Sequence, residues 1–351
     1  MNSKLHKVIG IMSGSSLDGL DIAYCTFQYT NDWKFEIIKA KTVEYPEEWL
    51  LNLREAAAMS ALELTYLDME YGKFIGEQTS ELIRLEKITP DLISSHGHTI
   101  FHEPERGFTL QIGNGQAIAN LTGIRTVYDF RTEDILNGGQ GAPLVPIGDE
   151  FLFSSYDFCL NIGGIANISY NDGNNRIGYD ICPANQLLNY LSLQLGKPYD
   201  ENGSIAALGK LNKQLFNRLN DHPYYKMNYP KSMSNQLVSE SFIPIIDQSD
   251  APIEDCLYTV CKHIAYQINN SIKRTGSSLI ITGGGAHNHF LTKAIEMETL
   301  CRVIIPESKI IDYKESLIFG FMGLLRNLGV SNCLASATGA KRNSIAGIIA
   351  G

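Results

Sequence analysis

The stretch Lys7-Val8-Ile9-Gly10-Ile11-Met12-Ser13-Gly14-Ser15-Ser16-Leu17-Asp18-Gly19-Leu20-Asp21-Ile22-Ala23-Tyr24-Cys25-Thr26-Phe27 reads as an apolar run, a turn rich in glycine, serine and aspartate, and a second run with the pattern of a strand. That is a strand, a loop of phosphate size, and a strand. Gly14 and Gly19 have the spacing of a Walker A loop, but Leu20 and Asp21 stand where its lysine and hydroxyl residue belong. A phosphate site without that lysine relies on backbone N–H groups, on the hydroxyls of Ser13, Ser15 and Ser16, and on a metal held by acids such as Asp18 or Asp21. Taken alone, the loop is equally a tight hairpin with polar turn residues.

Further along, residues 61–87 have a helical pattern and 91–95 form a short buried-type strand that ends at His96. Turn chemistry is densest in Asn137-Gly138-Gly139-Gln140-Gly141-Ala142-Pro143-Leu144-Val145-Pro146, which places a domain boundary there. Past it the opening pattern returns. Residues 158–162 are apolar, Gly163-Gly164 turn, 165–170 alternate, and Asp172-Gly173 lead into 176–181. Two halves that each open with a glycine-turn hairpin suggest duplication. Asp250 and Pro252 then start a helix with apolar positions 253, 257, 260, 264, 268 and 272, and Gly276 stops it. A strand at 279–282, the turn Gly283-Gly284-Gly285, a helix at 287–298 and a strand at 302–305 complete a βαβ pattern. The expected fold is α/β, with domains at 1–146 and 147–330, the tail 331–351 returning to the first, and a nucleotide in the cleft between them. Three strand-borne glycine turns support the nucleotide, because glycine lets a backbone approach a ligand closely.

Composition narrows the function. The 351 residues carry 29 Lys+Arg against 38 Asp+Glu, a formal charge of −9, which argues against nucleic-acid or anionic-membrane binding because both need a basic face. Neither a signal-type apolar stretch near the start nor a run long enough to span a bilayer is visible. Seven scattered cysteines without a Cys-x-x-Cys pair suit a reducing cytoplasm and read as core thiols.

Chemistry concentrates at a few other points. His96, His98 and His102 lie at strand spacing that a zinc ion or a substrate would use, though only Glu103 is at hand as a further ligand, and hydrogen-bonded histidines fit equally. Arg131 of Asp129-Phe130-Arg131 could clamp a substrate carboxylate, or simply pair with Asp129. Asp180, in Gly178-Tyr179-Asp180-Ile181-Cys182-Pro183-Ala184-Asn185, ends the second-half hairpin, with Pro183 placed to open a helix that carries Leu187, Leu188 and Leu191. An ordinary aspartate there is ionised at neutral pH and so is a base or a metal ligand, or else a helix cap.

These motifs, in order, resemble the anhydro-N-acetylmuramic acid kinases of the actin/hexokinase/sugar-kinase superfamily. The resemblance runs from the Gly10 to Asp21 entry motif, where Ser15 holds the usual threonine place, through Ser95-His96-Gly97-His98-Thr99, Thr109-Leu110-Gln111-Ile112-Gly113 and Asp129-Phe130-Arg131. It continues in the glycine loop from Gly138 to Pro146, Asn161 to Asn167, Pro230-Lys231-Ser232, Gly283 to Asn288, Glu315 and Thr338-Gly339-Ala340. It implies two ribonuclease H-like α/β domains around an ATP and sugar cleft, and phosphorylation of 1,6-anhydro-N-acetylmuramic acid coupled to hydrolytic ring opening in cell-wall recycling. Carried over residue by residue, it puts ATP and Mg²⁺ at Gly14, Ser15, Ser16, Leu17, Asp18, Gly19, Leu20 and Asp21, with Asp18 and Asp21 on the metal. The nucleotide is also expected near Gly163, Gly164, Gly283, Gly284, Gly285 and Asn288, and the sugar near His96, Asp129 and Arg131. Asp180 takes the place of the general base and Glu315 that of an active-site glutamate. A homodimer is implied too. Departures are Ile181-Cys182 and Ala184 in place of Thr-Gly and Gly, Met233-Ser234-Asn235-Gln236 in place of Thr-Gly-Arg-Glu, and His98 in place of glutamine. A kinase of this fold for another sugar or carboxylate, and a non-catalytic nucleotide sensor, are the alternatives.

Overall fold

The computed structural model describes residues 4–14, 17–229, 231–272 and 276–351; Ser15, Ser16 and Pro230 lie outside the described residues. The chain forms two α/β units, the first from Met1–Leu152 with Tyr313–Gly351 and the second from Phe153–Asp312. The expectation put these junctions at 146 and 331. The first unit regains the chain inside a helix, at Tyr313, whose φ of −116° and ψ of 17° break the helical dihedrals.

In chain order the strands are β1 (Leu5–Ser13), β2 (Leu20–Tyr29), β3 (Trp33–Val43), β4 (Leu92–Ser95), β5 (His98–Glu103), β6 (Phe108–Ile112), β7 (Thr126–Tyr128), β8 (Phe158–Ile162), β9 (Ile165–Asn171), β10 (Arg176–Pro183), β11 (Ser278–Thr282), β12 (Arg302–Ile304) and β13 (Ile348–Ala350). The first unit's sheet runs β13-β7-β4-β1-β2-β3 and the second's β10-β9-β8-β11-β12. In each, an antiparallel meander (β1 to β3, β8 to β10) takes two parallel strands on the far side of its first strand. The duplicated hairpin seen in the sequence is therefore a duplicated sheet order. In the first unit, β13 adds an antiparallel edge on β7.

Five helices position the functional residues: α1 (Ala61–Glu86), α2 (Asn185–Leu193), α3 (Ile253–Ser271), α4 (His289–Thr299) and α5 (Ser308–Asn327). A capping box opens α1, where the Ser60 hydroxyl accepts from the Glu63 N–H and the Glu63 carboxylate accepts from the Ser60 N–H. Lys87, in the left-handed region, ends it. Along α3 the buried Leu257, Val260, Ile264 and Ile268 recur every three or four residues and face the second unit's core. Each fully buried aliphatic chain there contributes about 1.5–3 kcal/mol.

Close contact docks α5 on β1. A Cβ on Gly10 would stand 1.8 Å from the carbonyl oxygen of Ser316, so only glycine lets the helix lie this near the strand. The buried Lys314 ammonium pairs with Asp149 at 2.7 Å one residue before Glu315. Glu315 is thus held over β1 by packing on one side and an ion pair on the other.

Candidate active site

In the first unit two carboxylates share one neighbourhood. Asp21, half-buried on β2, accepts a 2.6 Å hydrogen bond from the Thr42 hydroxyl of β3. Glu315 of α5 feels its charge. Burial pushes the Glu315 carboxyl above its usual range, Asp21 adds to the rise, and Arg131 and Lys314 oppose it. A second carboxylate whose charge adds to the rise at Glu315 is an arrangement a dication relieves, and Mg²⁺ takes one or two carboxylates together with phosphate oxygens and water. Asp18 is exposed on the turn between β1 and β2. Among the described residues no group of three or more histidine, cysteine, aspartate or glutamate side chains converges as a metal centre.

The turn itself is built from backbone. Leu17 N–H donates to the Gly14 carbonyl at 3.2 Å, and Leu17 and Gly19 have φ of 59° and 148°. Leu20 is fully buried in the first unit's core, which leaves only its backbone free to meet a ligand, and Leu17 packs against the same cluster.

His96 and Arg131 meet, each bound to the other. The Arg131 Nε–H and Nη2–H both donate to His96 Nε2, at 3.0 and 2.8 Å, and Nη1–H donates to the Gly141 carbonyl at 2.6 Å. Because arginine only donates, His96 is neutral with its proton on Nδ1, which donates to the Gly97 carbonyl at 2.9 Å. Burial first, and Arg131 second, hold its pKa well below the usual histidine range. Asp129 forms no pair with Arg131 and accepts instead from the Thr132 N–H at 3.3 Å. Zinc across the histidines has no basis here. Gly97, at φ 73°, separates β4 from β5, so His96 turns to Arg131 while His98 turns to Ser13 and His102 to Thr109.

Asp180 belongs to the second unit and sits within β10, at a bulge where the register shifts between Asp180 and Cys182. A helix-cap role does not hold, since Pro183 pairs with Ile165 as the last residue of the strand and α2 starts at Asn185. One carboxylate oxygen accepts from the Met233 N–H at 2.8 Å, the Asp180 N–H donates to the Lys231 carbonyl, and its carbonyl accepts from the Tyr224 hydroxyl at 2.7 Å. Burial raises the carboxyl pKa and the Met233 bond draws it partly back. Ile181, Cys182 and Ala184 are fully buried, so the departures beside Asp180 are absorbed in packing. Asn235 accepts a 2.6 Å bond from the Gln186 amide.

The second unit's glycine turns divide by role. Gly163 and Gly164 carbonyls accept from the N–H groups of Ala184, Asn185 and Gln186, so this turn caps α2. At Gly283, with φ 80°, a Cβ would meet Asn161 at 2.6 Å, and at Gly285 it would strike Ile162 at 2.2 Å. Those two serve the turn and its packing. Gly284 is exposed, with nothing nearer than 3.7 Å to a Cβ, and lines a cavity of about 400 Å³ together with Asn185, Tyr199, Asp200, His287 and Asn288. The helix expected from His287 begins at His289, because Gly284–His287 form a 3₁₀ turn and the Asn288 side chain caps α4 by accepting from the Leu291 N–H at 2.9 Å.

Two networks escaped the sequence. Buried Asp134 accepts from the Gly141 N–H and the Thr338 hydroxyl, both at 2.8 Å, tying the glycine loop to the Thr338-Gly339-Ala340 turn. Ser13 joins His98 Nδ1 at 2.9 Å and Tyr45 at 2.8 Å, and Tyr45 joins Tyr71 at 2.6 Å, a buried chain directly under the first loop.

Comparison with known proteins bears on the whole chain. A family profile described as anhydro-N-acetylmuramic acid kinase matches residues 6–351. A Shewanella loihica protein named anhydro-N-acetylmuramic acid kinase is 34% identical, with 97% of this chain and 98% of that protein covered. One of the same name from Trichormus variabilis is 33% identical over 98% and 96%. Among solved structures, Plasmodium falciparum glycerol kinase with ADP aligns at a TM-score of 0.44 and 8% identity, over 92% of this chain and 90% of that one.

Proposed function

The chain belongs to the anhydro-N-acetylmuramic acid kinase family, and from that premise we propose how its own residues carry the reaction. It is a sugar kinase of cell-wall recycling that phosphorylates 1,6-anhydro-N-acetylmuramic acid with ATP. In our reading, ring opening and phosphorylation form one event. A water molecule attacks the anomeric carbon, the bond from that carbon to O6 breaks, O6 takes the γ-phosphoryl group, and the water's proton passes to Asp180. The products are N-acetylmuramic acid 6-phosphate and ADP. Glycoside hydrolysis ordinarily needs an acid for the leaving oxygen, and here the phosphoryl group takes that place.

The observation that carries this reading is the setting of Asp180. Its carboxylate is fixed by one peptide N–H and made more basic by burial, as suits a general base. Asp21 and Glu315 would hold Mg²⁺, with Asp18 nearby in sequence. The ion would supply neutralising charge to the phosphates. The backbone N–H groups from Gly14 to Gly19 would contact phosphate oxygens without a Walker lysine, and the cavity at Gly284 suits a nucleoside in size. Arg131, fixed by His96 and Gly141, orients Glu315 electrostatically in this scheme rather than gripping the sugar.

Reaction in ¹⁸O-water tests the coupling. The 6-phosphate is expected to carry one label at the anomeric carbon, and an unlabelled sugar phosphate overturns the single-event mechanism. The homodimer rests on the family resemblance and the cytoplasmic location on the scattered free cysteines; no described helix is long and apolar enough to cross a membrane, and sedimentation measures the mass in solution.

A further inference from the structure

The substrate is an acid, and its carboxylate calls for a cation. Arg131 has all three of its nitrogens committed within the first unit, on His96 and the Gly141 carbonyl. In the second unit a different cation stands beside the base. Lys231 supplies the carbonyl that accepts from the Asp180 N–H, and Met233, two residues on, fixes the Asp180 carboxylate. The Lys231 ammonium lies 4.5 Å from the ring centroid of Tyr224 and 5.8 Å from that of Tyr179. Tyr224 is the residue whose hydroxyl donates to the Asp180 carbonyl, and Tyr179 is its strand neighbour, stacked on Tyr229. The lysine is half-buried, and among the described residues no carboxylate pairs with it. Two aromatic faces hold an ammonium in place without neutralising it, so its charge stays available to an anion.

We propose that Lys231, seated on Tyr224 and Tyr179, binds the lactyl carboxylate of the sugar and sets the enzyme's preference for an acidic over a neutral anhydro sugar. This rests on the reading of Asp180 as the base that faces the sugar. The position explains the need for aromatic support. A free lysine would lose several rotatable bonds on binding, whereas one already laid across two rings loses fewer.

The test compares 1,6-anhydro-N-acetylmuramic acid with 1,6-anhydro-N-acetylglucosamine, the same ring without the lactyl ether, by calorimetric titration into Asp180→Asn and Asp180→Asn/Lys231→Met. Steady-state kcat/KM ratios on Lys231→Met and Lys231→Arg in the otherwise unchanged enzyme accompany it. The expected result is a fall in the acid-to-neutral preference on the order of 10- to 100-fold in Lys231→Met, with much of it restored in Lys231→Arg. An unchanged ratio overturns the proposal. So does a Lys231→Met protein that binds neither sugar, because that outcome makes Lys231 a support of Asp180. Should the unchanged enzyme phosphorylate neither sugar, the functional reading itself fails, a result distinct from both.

Discussion

At Asp180, burial and one peptide N–H act in opposite directions on the same carboxylate, and burial is the larger. The folded pKa therefore lies above the ordinary aspartate value of about 3.9. A general base must be ionised, so kcat/KM is expected to fall as pH drops through this raised value, with the acid limb of the profile centred above 3.9. Asp180→Asn should lower kcat by about 10²- to 10⁴-fold while leaving ATP affinity nearly unchanged. Turnover within a factor of a few of the parent removes Asp180 from the role. Three buried histidines give the protein its own pH dependence. His96 is held well below 6.5, His98 is lowered to about 4 and His263 to about 3, each mainly by burial. Between those values and 6.5 the unfolded chain binds protons that the folded chain refuses, so stability falls as pH drops below 6.5, by up to about 1.4 kcal/mol per pH unit for each histidine. Urea midpoints from pH 7 to 4.5 should show that slope, and His98→Gln should lessen it by one histidine's share. A flat profile in the parent protein contradicts neutral buried imidazoles. The sequence showed Asp180 as the acid that ends the second-half hairpin, but not the Met233 and Tyr224 groups that hold it, 53 and 44 residues away. The chain from His98 through Ser13 and Tyr45 to Tyr71 was not legible either, because its members stand 85, 32 and 26 residues apart and only the folded sheet brings them together.

Glycines govern the elements, and they are not interchangeable. A methyl group on Gly10 would overlap the Ser316 carbonyl, which α5 cannot withdraw without carrying Glu315 with it, whereas the one on Gly320 meets the Gly10 Cα at 3.3 Å and needs only a small adjustment. Gly10→Ala should therefore cost more than about 3 kcal/mol or prevent folding, and Gly320→Ala about 1 kcal/mol, both read from urea unfolding. Equal costs would contradict the tight α5–β1 contact. The third glycine turn separates packing from binding. Gly285→Ala should destabilise through Ile162. Gly284→Ala should fold normally and weaken ATP, raising its KM roughly 10-fold, because the added methyl projects toward the cavity. A Gly284→Ala enzyme with unaltered ATP KM takes the nucleotide away from that cavity. Sequence spacing could flag all three turns as glycine-dependent, but which glycine faces a strand and which faces open space depends on atoms from β1, β8 and α5. The start of α4 shows the same limit. Asn288 reads as a ligand residue, and its carbonyl oxygen is already engaged as a helix cap.

For the whole molecule, the repeated glycine-turn hairpin was enough to read a doubled α/β fold, since each half's meander forms from contiguous sequence. The closing segment was harder to read. β13 is three residues long and takes its place by pairing with β7, some 220 residues earlier. Charge sets the last requirement. A chain of net charge −9 that binds the anion ATP needs local positive charge, and its first loop offers backbone N–H groups but no lysine. In the proposed site, the remaining charge would come from a divalent metal ion held by Asp21 and Glu315. ATP at 100 times its Kd stabilises the folded state by about 2.7 kcal/mol, so a thermal shift reports binding without turnover. With a non-hydrolysable ATP analogue, the parent should show a shift that shrinks sharply when Mg²⁺ is replaced by EDTA. In Asp21→Asn/Glu315→Gln the shift should be small and the same with or without Mg²⁺. A double variant whose shift still depends fully on Mg²⁺ would place the metal elsewhere, with Asp18 as the next residue to change.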